Sequence, residues 1–352
     1  MSRQLVIENT EINDSSDCYV IAEIGHNHQG SVETAKELFA AAKECGCQAV
    51  KLQKRDNRSL FTKEMFNKPY ENENSYGATY GEHREALEFG LKEYKELQKY
   101  AREIGITFFA TAFDFNSADF LHDLHMPAYK LASGDLTNIP LLKHVAAFNK
   151  PMILSTGGGT MADIERAYEA VMPINKQLCI LQCSAGYPPA YEEINLRVIT
   201  TLRERFNDIV IGFSAHDSGI AMALAGYILG SRVVEKHFTL HRAMRGTDHA
   251  FSLERSGMRR MVRDMQRARV ALGDGQKRSY PSEKGPLLKM AKKLVAAREL
   301  PEGHTLTRAD IAIKSPSDGL PPFELDKVIG KITTRALVED DNILFEYLKD
   351  GK

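Results

Sequence analysis

The sequence predicts an α/β protein, a (β/α)8 or TIM barrel followed by a small, mostly β domain. Eight short apolar runs alternate with amphipathic helical segments between residues 18 and 273. The chain has 352 residues, of which 43% are hydrophobic and 26% charged, enough for a core of roughly 250 residues plus a small domain. After residue 273 the pattern stops at DGQKRSYPSEKGP, a segment typical of a linker.

The eight runs are short, and most are rich in β-branched or aromatic residues, as buried parallel strands are. They are CYVIAEIG (18–25), QAVKLQK (48–54), ITFFATAF (106–113), AYKLASG (128–134), PMILSTG (151–157), QLCILQCSA (177–185), IVIGFSAH (209–216) and SRVVEKHF (231–238). The segment QLVIENTEI before the first run is consistent with a hairpin that closes the barrel floor.

The segments between the runs have helical periodicity and helix-ending signals. SVETAKELFAAAKECG (31–46) starts with a serine cap and ends at glycine, and LKEYKELQKYAREIG (91–105) has the same glycine stop. Eight strand–helix units favour a barrel. A doubly wound sheet is the alternative, but the first strand–helix turn, EIGHNHQGS, lacks GxGxxG. The long polar connection 55–90 is typical of a loop that covers an active site.

We expect a barrel domain over 1–273, a linker over 274–288 and a second domain over 289–352. The second domain contains an internal echo, because Arg298-x-Leu300-x-Glu302 matches Arg335-x-Leu337-x-Glu339. This echo predicts a compact fold of two similar halves.

Charge and cysteine content exclude several classes of function. The net charge is −1, so no basic excess indicates binding to nucleic acid or to an anionic membrane. The N-terminus lacks an apolar signal region, and no 18-residue apolar run follows, so we expect a cytoplasmic protein. Five cysteines, an odd number, predict reduced and buried thiols.

Polar residues stand at the end of every run, where a barrel places its active site. Burying charged side chains within apolar strands is costly unless they form ion pairs or bind a ligand. The polar residues are Glu23, Lys51, Gln53, Thr111, Lys130, Ser133, Asp135, Ser155, Tyr187, Ser214, His216, Glu235 and His237, and Phe113 ends the third run.

Three groups of these residues suggest particular chemistry. Lys51 and Lys130 suit an anionic ligand, and the serines with the GGGT turn suit a phosphate, although single serines are often caps and single lysines often rim charges. His216 and His237 end adjacent strands and could share a divalent ion with open positions for water and substrate. Glu23 and Asp248 are candidates for proton transfer or for a sugar hydroxyl contact.

Several ordered motifs resemble the sialic acid synthase family, and some look closest to its animal-type members. They are AEIGHNHQG (22–30), AVKLQK (49–54), YGEHREALEF (80–89), YKLASGD (129–135), ILSTGG (153–158), LQCSAGYP (181–188), IGFSAHDSG (211–219) and EKHFTL (235–240). The tail, from LVAARELPEG to DGLPPFELDKVIGK, resembles that family's antifreeze-like (SAF) domain.

The resemblance implies condensation of phosphoenolpyruvate with N-acetylmannosamine or its 6-phosphate. It also implies a divalent ion, manganese before magnesium or cobalt, and a homodimer with swapped C-terminal domains. By position, it implies metal ligands at His216 and His237, and Glu23 and Asp248 as catalytic acids. It implies phosphoenolpyruvate contacts at Lys51, Thr111, Lys130, Ser133, Ser155 and Ser214, and sugar contacts at Gln53, Phe113, Asp135, Tyr187 and Asp248.

The chain departs from the family pattern at two places. Asp135 stands where bacterial members carry glutamate, one methylene longer, and Ser315 stands where they carry an arginine that reaches the partner subunit. Lys314 could substitute for that arginine, but an ammonium does not reproduce bidentate contacts. The resemblance also implies one ligand contact from the long connection, at Asn74 or Ser75.

Three alternatives remain open at this point. The acceptor could belong to a related pathway, of the legionaminic, pseudaminic or KDN type. The enzyme could be another phosphoenolpyruvate-dependent aldol synthase, making a 7-phospho or 8-phospho keto acid, although those lack the C-terminal domain. The protein could instead bind carbohydrate or ice through its tail, which would leave the strand-end lysines and histidines unused.

Overall fold

A computed structural model describes residues 3–351. The chain forms two compact units, the first ending at Gly273 and the second beginning at Asp274. The first unit opens with an antiparallel hairpin of β1 (Gln4–Ile7) and β2 (Thr10–Asn13). Leu5, Ile7 and Ile12 of this hairpin pack into one cluster with residues from the N-terminal halves of the barrel strands. The expected hairpin is therefore present and closes the barrel floor.

Eight parallel strands form a closed barrel, which confirms the predicted fold class. Each strand pairs with the next, and the last pairs with the first. The strands are β3 (Tyr19–Gly25), β4 (Ala49–Lys54), β5 (Thr107–Ala112), β6 (Tyr129–Leu131), β7 (Met152–Ser155), β8 (Leu178–Cys183), β9 (Val210–Ala215) and β10 (Val233–His237).

Helices alternate with the strands, and the longer ones bury one face against the barrel. They are α1 (Val32–Glu44), α2 (Asn57–Leu60), α3 (Lys63–Asn67), α4 (Tyr80–Glu85), α5 (Leu91–Ile104), α6 (Phe115–Asp123), α7 (Ile139–Ala146), α8 (Met161–Val171), α9 (Tyr191–Ile194), α10 (Val198–Arg205), α11 (Ala221–Ile228) and α12 (Arg255–Leu272). The Ser31 side chain caps α1, and α5 ends at Gly105, whose left-handed backbone (φ 68°) favours glycine. In the described part of the chain, no helix is long and apolar enough to cross a membrane.

The long connection between β4 and α5 contains the short helices α2, α3 and α4. It is held to the segment that follows β10 by several hydrogen bonds. The Gly246 amide donates to Oδ1 of Asn74 at 2.9 Å, and the Tyr76 hydroxyl donates to the Arg245 carbonyl at 2.8 Å. The Arg245 guanidinium donates to the Ser75 carbonyl and lies over the Tyr76 ring. The predicted covering loop is thus tied to the segment that carries Asp248.

The second unit combines short antiparallel pairs with a small apolar core. Its elements are α13 (Lys284–Met290), β11 (Lys293–Ala296), β12 (Ile311–Lys314), α14 (Leu325–Val328), β13 (Ile332–Thr333) and β14 (Leu348–Lys349). Helix α13 begins within the segment that the sequence suggests is a linker. Leu300 and Leu337, equivalent in the sequence echo, exchange two backbone hydrogen bonds of 2.8 Å. The two similar halves therefore pair at equivalent positions.

Candidate active site

A cavity of about 550 Å³ opens at the C-terminal ends of the barrel strands. Strand parity explains which side chains enter it, because alternate residues of a strand face the barrel interior. Thirteen of the fourteen residues proposed from the sequence, all within the described part of the chain, line this cavity. They are Glu23, Lys51, Gln53, Thr111, Phe113, Lys130, Ser133, Ser155, Tyr187, Ser214, His216, His237 and Asp248.

Two buried lysines define one end of the cavity. Nζ of Lys51 lies 2.6 Å from Oε2 of Glu23 and donates to the Thr111 hydroxyl at 2.6 Å. Nζ of Lys130 donates to the Ser155 hydroxyl at 2.7 Å. Each ammonium therefore has a hydroxyl beside it, an arrangement that can hold the oxygens of an anion.

A second acid, Glu235 of β10, lies near both lysines. Its Oε1 lies 3.8 Å from Nζ of Lys51 and 3.6 Å from Nζ of Lys130. Burial opposes its ionisation, but the two ammonium groups outweigh burial and hold the pKa of Glu235 below its usual value. Burial raises the pKa of Glu23, and the Glu235 charge adds to the rise. The two acids thus differ in proton affinity. Glu235 suits an ionised counter-charge, and Glu23 suits a group that carries a proton.

Two serines supply further hydroxyls near the lysines. The Ser133 hydroxyl accepts a hydrogen bond of 2.9 Å from the amide of Gly157, which lies in the glycine-rich turn after β7. The Ser214 hydroxyl lies 3.4 Å from Oε1 of Glu235. Burial lowers the pKa of Lys130, so an incoming anion would strengthen its protonated form.

His216 and His237 stand side by side, with ring centroids 5.4 Å apart. Nδ1 of His216 lies 3.0 Å from the Ser184 carbonyl, so its N–H is donated there and Nε2 keeps a free lone pair. Nδ1 of His237 is buried and has no hydrogen-bond partner among residues 3–351. Burial lowers the pKa of His237 to about 4, which keeps this imidazole neutral.

This donor set fits a divalent ion. Metal–imidazole bonds are about 2.1 Å long, so both rings can reach one ion at the observed separation. The described residues contain no group of three or more His, Cys, Asp or Glu side chains arranged to hold a metal. Only two protein ligands would therefore be supplied, which leaves positions open for water and substrate.

Glu23, Gln53 and Asp248 converge around Gly25, at the mouth of β3. A Cβ at Gly25 would lie 3.1 Å from Nε2 of Gln53, 3.2 Å from Oε1 of Glu23 and 3.4 Å from Oδ2 of Asp248, so glycine leaves this space open. Oδ2 of Asp248 is also 3.7 Å from Nδ1 of His237. The structure thus places Asp248 between the imidazole and the side chains of β3 and β4.

Aromatic groups complete the wall of the cavity. The Tyr187 ring lies 4.3 Å from the His216 ring between centroids. The guanidinium of Arg55 stacks on Phe113, 3.7 Å from the ring centroid. These faces can contact the carbon skeleton of a bound ligand.

Asp135 is the one proposed site residue that does not line the cavity. Strand β6 ends at Leu131, and residues Ser133–Asp135 form a single turn of 3-10 helix. This turn directs Ser133 into the cavity, while the Asp135 carboxylate is buried and accepts from Nδ2 of Asn138 at 3.1 Å. Burial raises the pKa of Asp135 to about 6. Its expected sugar contact stays a prediction.

Several lining residues were not among the proposed site residues. Arg55 and Arg84 come from the long connection, where a sequence pattern does not reveal which side chains turn inward. Cys183, expected to be a structural thiol, is buried but also lines the cavity, 3.5 Å from the Ser133 hydroxyl. Glu235 is one of the strand-end polar residues and alternates with His237 along β10, but the family resemblance implies no role for it. All five cysteines are free and buried, as expected.

Within the second unit, Lys314 is engaged by acids of the same unit. Its Nζ lies 2.5 Å from Oδ1 of Asp340 and 3.8 Å from Oε1 of Glu339. Its substitution for the family arginine stays a prediction.

Comparison with protein-family models places most of this architecture in one family. Residues 38–277, more than half of the chain, match the NeuB family, and residues 293–348 match the SAF domain. The chain belongs to the NeuB family. The predicted resemblance to sialic acid synthases, with an antifreeze-like tail, is therefore confirmed.

Individual proteins and structures agree with this membership. The N-acetylneuraminate-9-phosphate synthase of Homo sapiens is 40% identical over 94% of this chain and 92% of its own length. The N,N'-diacetyllegionaminic acid synthase of Legionella pneumophila is 32% identical over 95% of this chain and 96% of its own. A sialic acid synthetase from Leptospira borgpetersenii, crystallised with citrate, aligns with a TM-score of 0.71 and 28% identity, over 81% of this chain and 95% of that one.

Proposed function

We propose that this member of the NeuB family condenses phosphoenolpyruvate with N-acetylmannosamine or its 6-phosphate. The observation that carries the proposal is the cavity that places two buried lysines, each beside a hydroxyl, in one chamber with two imidazoles. The names of the relatives in Homo sapiens and Leptospira borgpetersenii point to the same product class.

The proposed reaction joins C3 of phosphoenolpyruvate to C1 of the open-chain sugar. The electron pair of the enol C=C bond forms the new C–C bond, and the aldehyde oxygen takes up a proton. Water then adds at C2, and the C2–O bond to phosphate breaks. The products are a nine-carbon 2-keto acid and inorganic phosphate, which balances the water consumed.

The side chains of this cavity have distinct parts in that scheme. Lys51 and Lys130 hold the carboxylate and phosphate of phosphoenolpyruvate, and the neighbouring hydroxyls orient these groups. Glu23, whose pKa burial raises, takes the proton of the attacking water. Glu235 remains ionised and keeps the two lysines protonated when the site is empty.

His216 and His237 would hold the divalent ion. When bound, such an ion polarises a carbonyl oxygen as a Lewis acid. Asp248, with Oδ2 3.7 Å from Nδ1 of His237, faces the sugar side of the cavity. Manganese as the ion, the domain-swapped homodimer and the cytoplasmic location stay predictions.

The decisive experiment measures phosphate release from phosphoenolpyruvate with several acceptors in parallel. N-acetylmannosamine, its 6-phosphate, mannose and a diacetamido hexose distinguish the main proposal from legionaminic-, pseudaminic- and KDN-type synthases. We expect turnover with N-acetylmannosamine or its phosphate, and a nine-carbon 2-keto acid by mass spectrometry. Turnover only with the diamino sugar or mannose would replace this proposal with the related pathway.

The metal site is tested by His237→Ala with a manganese titration. Loss of one of two imidazole ligands is expected to weaken binding of Mn²⁺, followed by calorimetry, and to lower turnover at least 100-fold. His241→Ala is the matched control, because His241 is an exposed histidine in the segment that follows β10. Wild-type turnover by His237→Ala without added metal would contradict the proposed role.

A further inference from the structure

Two arginines enter the cavity from the long connection between β4 and α5. Arg55 is buried, with 8% of its surface exposed, and its Nη2 donates to Oε1 of Gln53 at 2.7 Å. Arg84, on α4, donates from Nε and Nη2 to the Tyr80 hydroxyl at 3.0 and 2.9 Å. Both side chains line the same cavity as the lysines and histidines.

The two guanidinium groups contact opposite nitrogens of one imidazole. Nη1 of Arg55 lies 3.2 Å from Nε2 of His26, and Nη1 of Arg84 lies 3.2 Å from Nδ1 of the same ring. A neutral imidazole accepts at one nitrogen only, and a guanidinium only donates. One of these contacts therefore brings a donor against a donor, which leaves an N–H group of an arginine without an acceptor there.

The positive charge of this pair is also poorly compensated. Glu88, an acid of the same connection, pairs with Lys54 at 3.1 Å, and its Oε1 lies 3.9 Å from Nε2 of His26. Among residues 3–351, neither Arg55 nor Arg84 forms an ion pair with a carboxylate. Burial, and then repulsion from Arg84, lowers the pKa of Arg55 to about 10. A buried guanidinium beside a second, half-buried one, neither paired with a carboxylate, is costly unless an anion binds.

We infer that Arg55 and Arg84 form a second anion subsite, which binds a phosphate group carried by the acceptor sugar. The inference rests on the proposed function and narrows it to a phosphorylated acceptor. Guanidinium groups are well suited to phosphate, because their N–H groups match its oxygens in pairs. Two of them beside His26 offer more donors than the ring can use.

A continuous chain of contacts separates this subsite from the lysines. Glu23 contacts Lys51 and accepts from Nε2 of Gln53 at 2.6 Å, and Gln53 in turn accepts from Arg55. The two cationic ends are thus joined through the side chains that face the sugar. Phosphoenolpyruvate at the lysines and a phosphate at the arginines would lie on opposite sides of the reacting sugar carbon.

The experiment compares N-acetylmannosamine with its 6-phosphate, using wild-type protein, Arg55→Gln and Arg84→Gln. We expect the wild type to prefer the phosphorylated sugar. Each variant should lower the ratio of kcat/KM values, phosphorylated over neutral, by about 10- to 100-fold, the usual effect of losing a hydrogen bond between charged groups. Calorimetry of the sugar phosphate without phosphoenolpyruvate should show a comparable loss of affinity.

Arg58→Gln is the matched control, because Arg58 belongs to the same connection but is exposed and paired with Glu85 at 2.9 Å. It should leave the ratio unchanged. An equal loss on both acceptors in the Arg55 and Arg84 variants, or a raised KM for phosphoenolpyruvate alone, would overturn the inference. If no acceptor is turned over, the proposed function fails, and calorimetry alone then tests the subsite. Equal affinity of the wild type and the arginine variants for the sugar phosphate would overturn the inference.

Discussion

At the scale of single residues, the site is a set of charges removed from water and matched to each other. Lys51 and Lys130 are buried, and Glu235 lies within 3.8 Å of both. Glu23 also lies 2.6 Å from Lys51, so two carboxylates face the two ammonium groups. Buried charges require partners, and this cluster supplies them while both ammonium groups stay in the cavity, where an anion can contact them.

Lys130→Met tests this anion end directly. The substitution keeps an unbranched side chain that is one atom shorter and removes one ammonium, so we expect phosphoenolpyruvate affinity to fall about 10- to 100-fold, measured by calorimetry. Lys143→Met on α7 is the control, since Lys143 is exposed. Equal affinity in the wild type and Lys130→Met would show that the anion binds elsewhere.

At the scale of elements, a buried ion pair joins the strand ends that carry the two histidines. Lys236 precedes His237 on β10, and Asp217 follows His216 after β9. Nζ of Lys236 lies 2.8 Å from Oδ1 of Asp217 and also donates to the Asp217 carbonyl. Lys236 alternates with the inward-facing Glu235 and His237, so we expect this pair to position the imidazoles from outside the barrel interior.

Lys236→Met should therefore affect both stability and metal binding. Removing one partner of a buried ion pair costs about 3–5 kcal/mol of unfolding free energy, measured by denaturant titration. We expect the affinity for Mn²⁺ to fall about tenfold, as for other residues that orient ligands.

The double variant Lys236→Met/Asp217→Asn separates these two effects. It leaves no unpaired charge, so much of the lost stability should return. Weak Mn²⁺ binding should persist, because the link between the strand ends is still missing. Full recovery of metal affinity together with stability would contradict a positioning role.

At the scale of the whole molecule, the pH dependence of stability comes from different titrating groups in the two units. In the first unit, His28 is buried against Phe89, and burial lowers its pKa to about 3. In the second unit, the buried Asp310 accepts hydrogen bonds from Arg298 and from the amide and hydroxyl of Thr307. Although burial opposes ionisation, these donors outweigh it and hold the pKa of Asp310 well below its usual value.

The two units should therefore respond to acid in different pH ranges. Unfolding lets His28 take up a proton below its ordinary pKa of about 6.5, so the first unit loses stability as pH falls from 6.5 towards 3, by up to about 1.4 kcal/mol per pH unit. Asp310 contributes fully above its unfolded pKa of about 3.9, and its contribution is lost only as pH falls below that value.

Hydrogen exchange at pH 7 and pH 5 can follow each unit separately. We expect protection to decrease in the barrel, while the contribution of Asp310 to the second unit is retained. His28→Asn keeps an acceptor for the Gly30 amide but does not titrate, so its barrel should lose less stability over this range. If the barrel of this variant loses as much stability between pH 7 and pH 5 as the wild type does, His28 is not a source of the acid sensitivity.

Much of the barrel could be predicted because its signals are local. Each of the eight runs contains one observed strand, and the strand ends already identified the lysines, the serines and both histidines. Strand β6 is shorter than its run, because Ser133–Asp135 turns away as a 3-10 helix and takes Asp135 out of the cavity. Nothing in the alternation of apolar residues signals that turn.

The amino-acid sequence by itself determined the fold class, the inward parity of the strand-end residues and the family, since periodicity and ordered motifs are properties of the chain. Only the tertiary structure decided how the long connection enters the site. Arg55, Arg84 and His26 are brought together by the folding of residues 55–90 over the barrel, and loop side chains follow no period. The sequence placed His216 and His237 on adjacent strands, but the 5.4 Å between their ring centroids follows from the register of β9 and β10, which only the tertiary structure shows.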